Sequence, residues 1–226
     1  MLSISASNEW RNAHPGAIIG LLELAGVDNT RSSPELNQRK RAVESLLRER
    51  YNGFTRTDFL ALPVMAAYER YYRRFDKTYH VQLQVESIVL KGRNLPDVSP
   101  LVDANFIAEV ETCALTAGHD VARLREPIWI DVSREGDQIT QLNGATKPIR
   151  AGDMVMRDAG GVACTILYGQ DNRSPISPAT TQVLYVTYAP AGVPAGTVEA
   201  ELQTILDYVR LFSPDVQLEQ FLLMQA

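Results

Sequence analysis

Two stretches of this 226-residue chain carry side chains whose types and spacing suit chemistry. The first runs Leu101-Val-Asp-Ala-Asn-Phe106 and is followed by Thr116-Ala-Gly-His-Asp120. Asp103 and Asn105 fall near the start of a helix, and the small residues around His119 permit close approach of a ligand. A neutral imidazole accepts a proton from water near neutral pH, which makes His119 the candidate catalytic base. The competing structural reading has Asp103 supporting the helix N-terminus, Gly118 ending that helix and Asp120 capping the next short turn. The second stretch, Tyr168-Gly-Gln-Asp-Asn-Arg-Ser-Pro175, is a loop of turn formers in which Arg173 stands out. Its guanidinium is a planar, permanently charged fork for a carboxylate or phosphate, and the plainer partner is Asp171.

Other chemistries lack their residues. The three histidines, His14, His80 and His119, are too scattered for a paired-histidine metal motif, and no H-E-x-x-H, Walker loop or G-x-G-x-x-G fingerprint occurs. No metal and no cofactor is expected. There is no G-x-S-x-G nucleophile elbow. Cys113 and Cys164 alone cannot build a disulfide framework, which points to a reducing, cytoplasmic location. The chain starts without the basic segment of a secretion signal. Its first apolar run, Ala17 to Val27, carries Glu23 and is shorter than the roughly 20 residues needed to cross a bilayer, so a buried strand and no membrane span are expected.

Charge is unevenly distributed. Residues 1 to 93 hold 14 Lys+Arg against 10 Asp+Glu, and the remainder hold 8 against 17. Phosphate neutralisation by Lys and Arg dominates nucleic-acid affinity, so an RNA partner would have to dock on the N-terminal half. Its cations lie on two helical stretches, Arg39-Lys40-Arg41 with Arg48 and Arg50, then Arg70, Arg73, Arg74 and Lys77. The plainer reading of both is a solvated helix face.

The elements that would position these groups are legible in outline. With 45% hydrophobic residues the chain can bury a sizeable core, and it reads as a single domain over 1-226, mainly helical and basic over 1-93, with a pocket-bearing α+β core over 94-226. Ser33-Pro34 caps a helix to Tyr51, and Thr57 to Phe75 continues the pattern with a break at Pro63. The run Tyr68, Tyr71, Tyr72, Phe75 could stack bases, but its helical spacing favours core. Tyr79 to Leu90 fits a helix that Gly92 ends, and Ser99-Pro100 opens another with Val102, Phe106, Val110 and Cys113 along one face. Strands follow at Ile128 to Val132, Met154 to Met156, Val162 to Tyr168 and Val183 to Tyr188, with a hairpin turn at Ala159-Gly160-Gly161. A helix from Thr197 to Phe212 stops at Ser213-Pro214. Helices before and after a mostly antiparallel run of strands give an α+β fold.

The run Leu95-Pro-Asp-Val-Ser-Pro-Leu-Val-Asp-Ala-Asn-Phe106, the Gly118-His-Asp120 step with Leu124 after it, the Asp171-Asn-Arg173 loop before Thr180-Thr181, and His14-Pro15 near the start together resemble a known domain. It is the tRNA-editing domain of the bacterial phenylalanyl-tRNA synthetase β subunit in its free-standing form, with the resemblance strongest from about 94 to 190. The resemblance implies a three-layer α+β fold with a β-sandwich of unusual topology. It also implies a pocket for an amino acid esterified to tRNA, which the synthetase domain hydrolyses when tyrosine is mischarged. Asp103 and Asn105 match the aspartate and asparagine of the pocket segment. The editing histidine of the synthetase falls on Ala117 or Thr116, and its later glutamate falls near Val186. The expected partners are therefore an aminoacyl-tRNA or an amino-acid-like small molecule, hydrolysed in trans or bound without turnover. Candidate ligand-binding residues are Asp103, Asn105, Thr116, Gly118, Arg173 and Thr181, with His119 the candidate catalytic residue.

Overall fold

A computed structural model describes residues 2–30 and 33–226. A short strand β1 (Ile4–Ala6) and helix α1 (Asn8–Ala13) precede β2 (Ile18–Ala25). Five helices follow, α2 (Pro34–Arg50), α3 (Arg56–Ala61), α4 (Pro63–Arg73), α5 (His80–Lys91) and α6 (Pro100–Thr112). Next come β3 (Thr116–Asp120), a 3₁₀ turn at Val121–Arg123, β4 (Ile128–Val132), β5 (Gln138–Thr140), β6 (Thr146–Pro148), β7 (Met154–Asp158), β8 (Gly161–Thr165), β9 (Gly169–Gln170) and β10 (Gln182–Ala189). Helix α7 (Ala195–Arg210) and strand β11 (Gln217–Gln225) complete the series. Among the described residues no helix is long and apolar enough to cross a membrane.

Local chemistry sets these boundaries. Ser33 Oγ accepts the Leu36 N–H at 3.1 Å, and Pro34 stands at the first helical position of α2, where its missing N–H costs nothing. Pro63 separates α3 from α4 because its ring forces Leu62 into extended backbone. Gly92, at φ 65°, ends α5. Helix α6 ends earlier than Gly118, at Cys113, whose φ of 63° is unusual for a residue with a side chain. The turn is held from outside: Tyr79 donates to the Cys113 carbonyl at 2.9 Å, and the Leu115 N–H donates to Tyr68 Oη at 2.9 Å. Residues 116–120 are therefore free to pair as β3, and Asp120 caps the 3₁₀ turn that follows through the Ala122 N–H at 3.0 Å.

Two sheets form. One is antiparallel with order β11-β2-β10-β3, and the other has order β1-β4-β7-β8-β9, with β1 parallel to β4. Strands β5 and β6 make a separate hairpin. Helix α7 lies directly on β2: a Cβ at Gly20 would sit 2.5 Å from Val198 Cγ1. With α6 packed along α7, this makes a helical layer on one face of the four-stranded sheet. The opposite face meets the five-stranded sheet, where Leu2 N–H beside β1 donates to Glu23 of β2 at 2.7 Å and His119 of β3 bonds Ser174 at 2.8 Å. The fold is thus α+β in three layers, helices on sheet on sheet.

The aromatic run of α4 is core. Tyr68, Tyr71, Tyr72 and Phe75 are all buried, and Tyr68 stacks on Tyr79 with centroids 4.1 Å apart. Its hydroxyls join both sheets: Tyr68 donates to the Tyr188 carbonyl at 2.8 Å, Tyr71 to Asp153 at 2.7 Å and Tyr72 to the Ile166 carbonyl at 2.5 Å. The close contact at Gly20 generates a test. Gly20→Ala should cost about 1–3 kcal/mol of stability through overpacking against α7, read by urea denaturation. A cost below about 0.5 kcal/mol would show that α7 is not held against β2.

Candidate functional site

A cavity of about 570 Å³ opens where α5, α6, β3 and the β8–β9 region meet. That volume suits a small organic ligand. Its apolar wall includes Val102, Phe106, Leu142, Tyr168 and Ile176. The four apolar residues expected along one face of α6 separate here: Val102 and Phe106 line the cavity, whereas Val110 and Cys113 sit in the core. The helix is buried on almost every side, so its periodicity could not indicate which side holds a ligand.

Polar groups converge on this space from α5, α6 and β3. Asn105 is buried and donates through Nδ2 to the Thr116 carbonyl at 3.1 Å. A carbonyl only accepts, so this bond fixes the amide orientation and leaves Oδ1, buried and without a partner, at the cavity. Gln84 Oε1 is likewise buried without a partner. His80 lines the same space, its Nδ1 lying 3.2 Å from Tyr72 Oη. Tyr72 has one hydroxyl proton, which goes to the Ile166 carbonyl, so Nδ1 must be the donor and Nε2 carries the lone pair. Burial holds the His80 pKa down to about 4, so the ring is neutral.

Two buried carboxyls meet on Thr116, which lines the cavity. Glu109 lines it and accepts the Thr116 N–H at 2.9 Å. Glu201 of α7 accepts the Thr116 hydroxyl at 2.9 Å and lies 2.6 Å from Thr112 Oγ1. With the Thr116 proton committed to Glu201, the 2.7 Å contact between Thr116 and Thr187 takes its proton from Thr187. Burial, reinforced by Glu201, pushes the Glu109 carboxyl well above the usual range. Burial likewise takes Glu201 up to about 8, against the two threonine hydrogen bonds.

Of the residues singled out from sequence, Asn105, Thr116 and Gly118 meet at the cavity. Gly118 is needed there because a Cβ would come within 2.6 Å of Ile176 and 3.1 Å of the Tyr185 ring. Asp103, His119, Arg173 and Thr181 do not line it. Asp103 accepts the Val98 N–H at 3.0 Å and pairs with buried Lys40 at 2.7 Å, supporting the start of α6. His119 is wholly buried with Nδ1 on Ser174, because the alternation of β3 turns it away from the side of Thr116 and Gly118. Arg173 binds Asp158 at 2.9 Å and lies 2.5 Å from Asp171, so its charge is already satisfied. Thr181 is exposed, and its carbonyl accepts the Val27 N–H at 3.0 Å. The cavity thus brings Asn105 together with Glu109, Gln84 and His80, and not with His119 or Arg173. Two of these four come from the N-terminal part of the chain, and no motif in the sequence marked them.

A family model for the B3/4 domain matches residues 65–198, more than half of the chain. That span contains every cavity residue named above. Among solved structures, an N-terminal fragment of the phenylalanyl-tRNA synthetase β subunit from Pyrococcus horikoshii aligns over 100% of this chain at 8% identity, with a TM-score of 0.47. This chain covers 57% of that fragment's length. No curated protein matches.

Two experiments test the structural roles of Glu201 and Arg173, which do not line the cavity. Glu201 is neutral in the fold up to about pH 8 but ionises above about 4.5 when unfolded, so its contribution is present below 4.5 and is lost as pH rises to 8. Urea denaturation of Glu201→Gln should therefore show the variant gaining stability relative to wild type between pH 5 and pH 8; a constant difference would refute the buried neutral acid. Arg173→Ala should cost about 1–3 kcal/mol by leaving the buried Asp158 and Asp171 carboxylates short of a donor. Differential scanning calorimetry reads that loss, and thermal stability equal to wild type would contradict it.

Proposed function

Because the chain belongs to the B3/4 domain family, which occurs in the phenylalanyl-tRNA synthetase β subunit, we propose that its cavity receives the amino-acid end of an aminoacyl-tRNA and hydrolyses the ester in trans. The observation that carries this reading is a pair of unpaired buried acceptors in a largely apolar space, Asn105 Oδ1 and Gln84 Oε1, with Glu109 lining the same cavity. A buried acceptor left unpaired costs about 1–3 kcal/mol, a cost that a ligand bringing N–H donors removes. The α-ammonium of an aminoacyl ester brings three such donors. The apolar wall of Val102, Phe106 and Ile176 suits an amino-acid side chain.

Hydrolysis needs a water activated near the carbonyl carbon. His80 is the histidine that lines the cavity, and its Nδ1–H tautomer leaves Nε2 to accept the water proton as the C–O bond to water forms. The ester C–O bond then breaks, and the terminal ribose hydroxyl leaves with that proton. A pKa near 4 keeps the imidazole unprotonated throughout the neutral range and makes it a weaker base than an unshifted histidine, so the rate depends on how its Nε2 positions the water.

The test is deacylation of a panel of mischarged tRNAs by the full chain. At least one should be hydrolysed, with His80→Asn lowering kcat by about 100-fold at little change in KM, since a positioned base contributes about 10²–10⁴. Asn105→Ala should raise KM about tenfold, circular dichroism confirming that it folds. If no tRNA is deacylated while free amino acids raise the melting temperature, a non-catalytic amino-acid-binding module replaces the hydrolase. If neither occurs, the cavity does not serve this ligand class.

A further inference from the structure

A second recess lies away from this cavity, between the turn after α1, the outer side of α4 and the segment following β10. It encloses about 230 Å³, and its lining includes His14, Pro15, Arg70, Tyr71, Arg74 and Ala191. His14 and Pro15 are the motif near the start of the chain that the amino-acid cavity leaves unused.

The physical oddity here is uncompensated positive charge. Arg70 and Arg74 are four residues apart, on one side of α4, an arrangement that costs a few tenths of a kcal/mol between like charges. Among the described residues neither makes an ion pair, although Arg73 between them pairs with Glu69 at 3.2 Å. Both guanidiniums are nonetheless placed. Arg74 lies 5.5 Å over the ring of Tyr71 and 5.5 Å over that of Phe75. Arg70 rests against the backbone of Gly192, where a Cβ would be 2.6 Å from Nη2 and where φ is 99°. Glycine at that position lets the guanidinium approach.

The third group is His14. The residue is buried, its ring is tilted against Tyr71 at 5.9 Å, and its Nε2 has no partner among the described residues. Burial and the adjacent Arg74 charge hold its pKa near 4, so the ring is a neutral imidazole beside two cations. A buried imidazole nitrogen left unpaired is costly unless something joins it.

We propose that this recess is a binding site for a phosphate group. Two guanidinium forks and an imidazole N–H give separate donors to different oxygens of one tetrahedral anion, and the two positive charges match a dianion. The volume admits a single phosphate with little else. A free phosphate or monoester brings that dianion, and the phosphodiester backbone of an RNA strand lying across α4 offers two non-bridging oxygens with one negative charge per group. The inference is independent of the amino-acid cavity, since neither its residues nor an aminoacyl group take part.

The experiment is isothermal titration of the full chain with inorganic phosphate, and in a second arm with a 12-nucleotide single-stranded RNA carrying no amino acid. Arg70→Gln and Arg74→Gln alter exposed side chains and should leave the fold intact. Each should weaken binding at least tenfold, whereas Arg73→Gln should stay within twofold of wild type. The His14 ring signals in NMR should shift on saturation. Saturable binding of phosphate with this pattern supports a free phosphate or monoester; saturation by RNA alone, with the same pattern, supports the phosphodiester backbone. The proposal is overturned if neither saturates, if Arg73→Gln weakens binding as much as the other two, or if the His14 signals do not move.

Discussion

Three tyrosine hydroxyls on one helix hold the two sheets at a fixed separation. Tyr68 bonds the four-stranded sheet at Tyr188, Tyr71 bonds Asp153 just before β7, and Tyr72 bonds Ile166 just after β8. Each of these phenols is buried, so each bond satisfies two groups that would otherwise be stranded away from water. The arrangement reaches into the site. Tyr68 also accepts the Leu115 N–H and so holds the turn between α6 and β3, which delivers Asn105 and Thr116 to the same space. Tyr72 fixes the tautomer of His80. The Tyr68 and Tyr72 hydroxyls therefore couple the sheet packing to the cavity.

The basic N-terminal part divides into spent and unspent cations. Lys40 is fully buried between Asp103, Asp97 and the Pro96 carbonyl, so it is an internal strut rather than a solvated charge. Arg41 is taken up by Glu44 and Asp97, and Arg48 donates to carbonyls at the C-terminal end of α5, where the helix dipole favours a cation. These groups tie α2 to α5 and α6. Among the described residues Arg70 and Arg74 make no such ion pair, and Arg74 lies instead over the rings of Tyr71 and Phe75.

The larger cavity has a different electrostatic character. Burial pushes the Glu109 carboxyl well above its usual range, and Asn105 Oδ1 and Gln84 Oε1 are buried there without donors, so the polar groups on that side favour N–H or O–H donors. The smaller recess presents cations instead, with the α4 tyrosines facing inward and Arg70 and Arg74 outward.

The sequence by itself determined most elements, because caps, prolines and periodicity are local signals. Ser33-Pro34, Pro63 and Gly92 mark boundaries where they were expected, and the apolar run from Ala17 to Val27 contains β2. It also indicated the segment around Asn105, through its resemblance to a known pocket motif. What it could not indicate was pairing and direction. Strand β3 is five residues rich in small side chains and becomes a strand only because β10 offers it a partner; β11 likewise depends on β2. His119 and Thr116 are three residues apart, and the alternation of a strand sends them to opposite sides, which no count along a presumed helix end reveals. Arg173 finds Asp158 across a hairpin, and His80 and Gln84 reach the cavity from a helix some 20 residues upstream of Asn105. Those placements depend on contacts distant in the chain, so tertiary packing alone decided which polar groups line the cavity and which face one another.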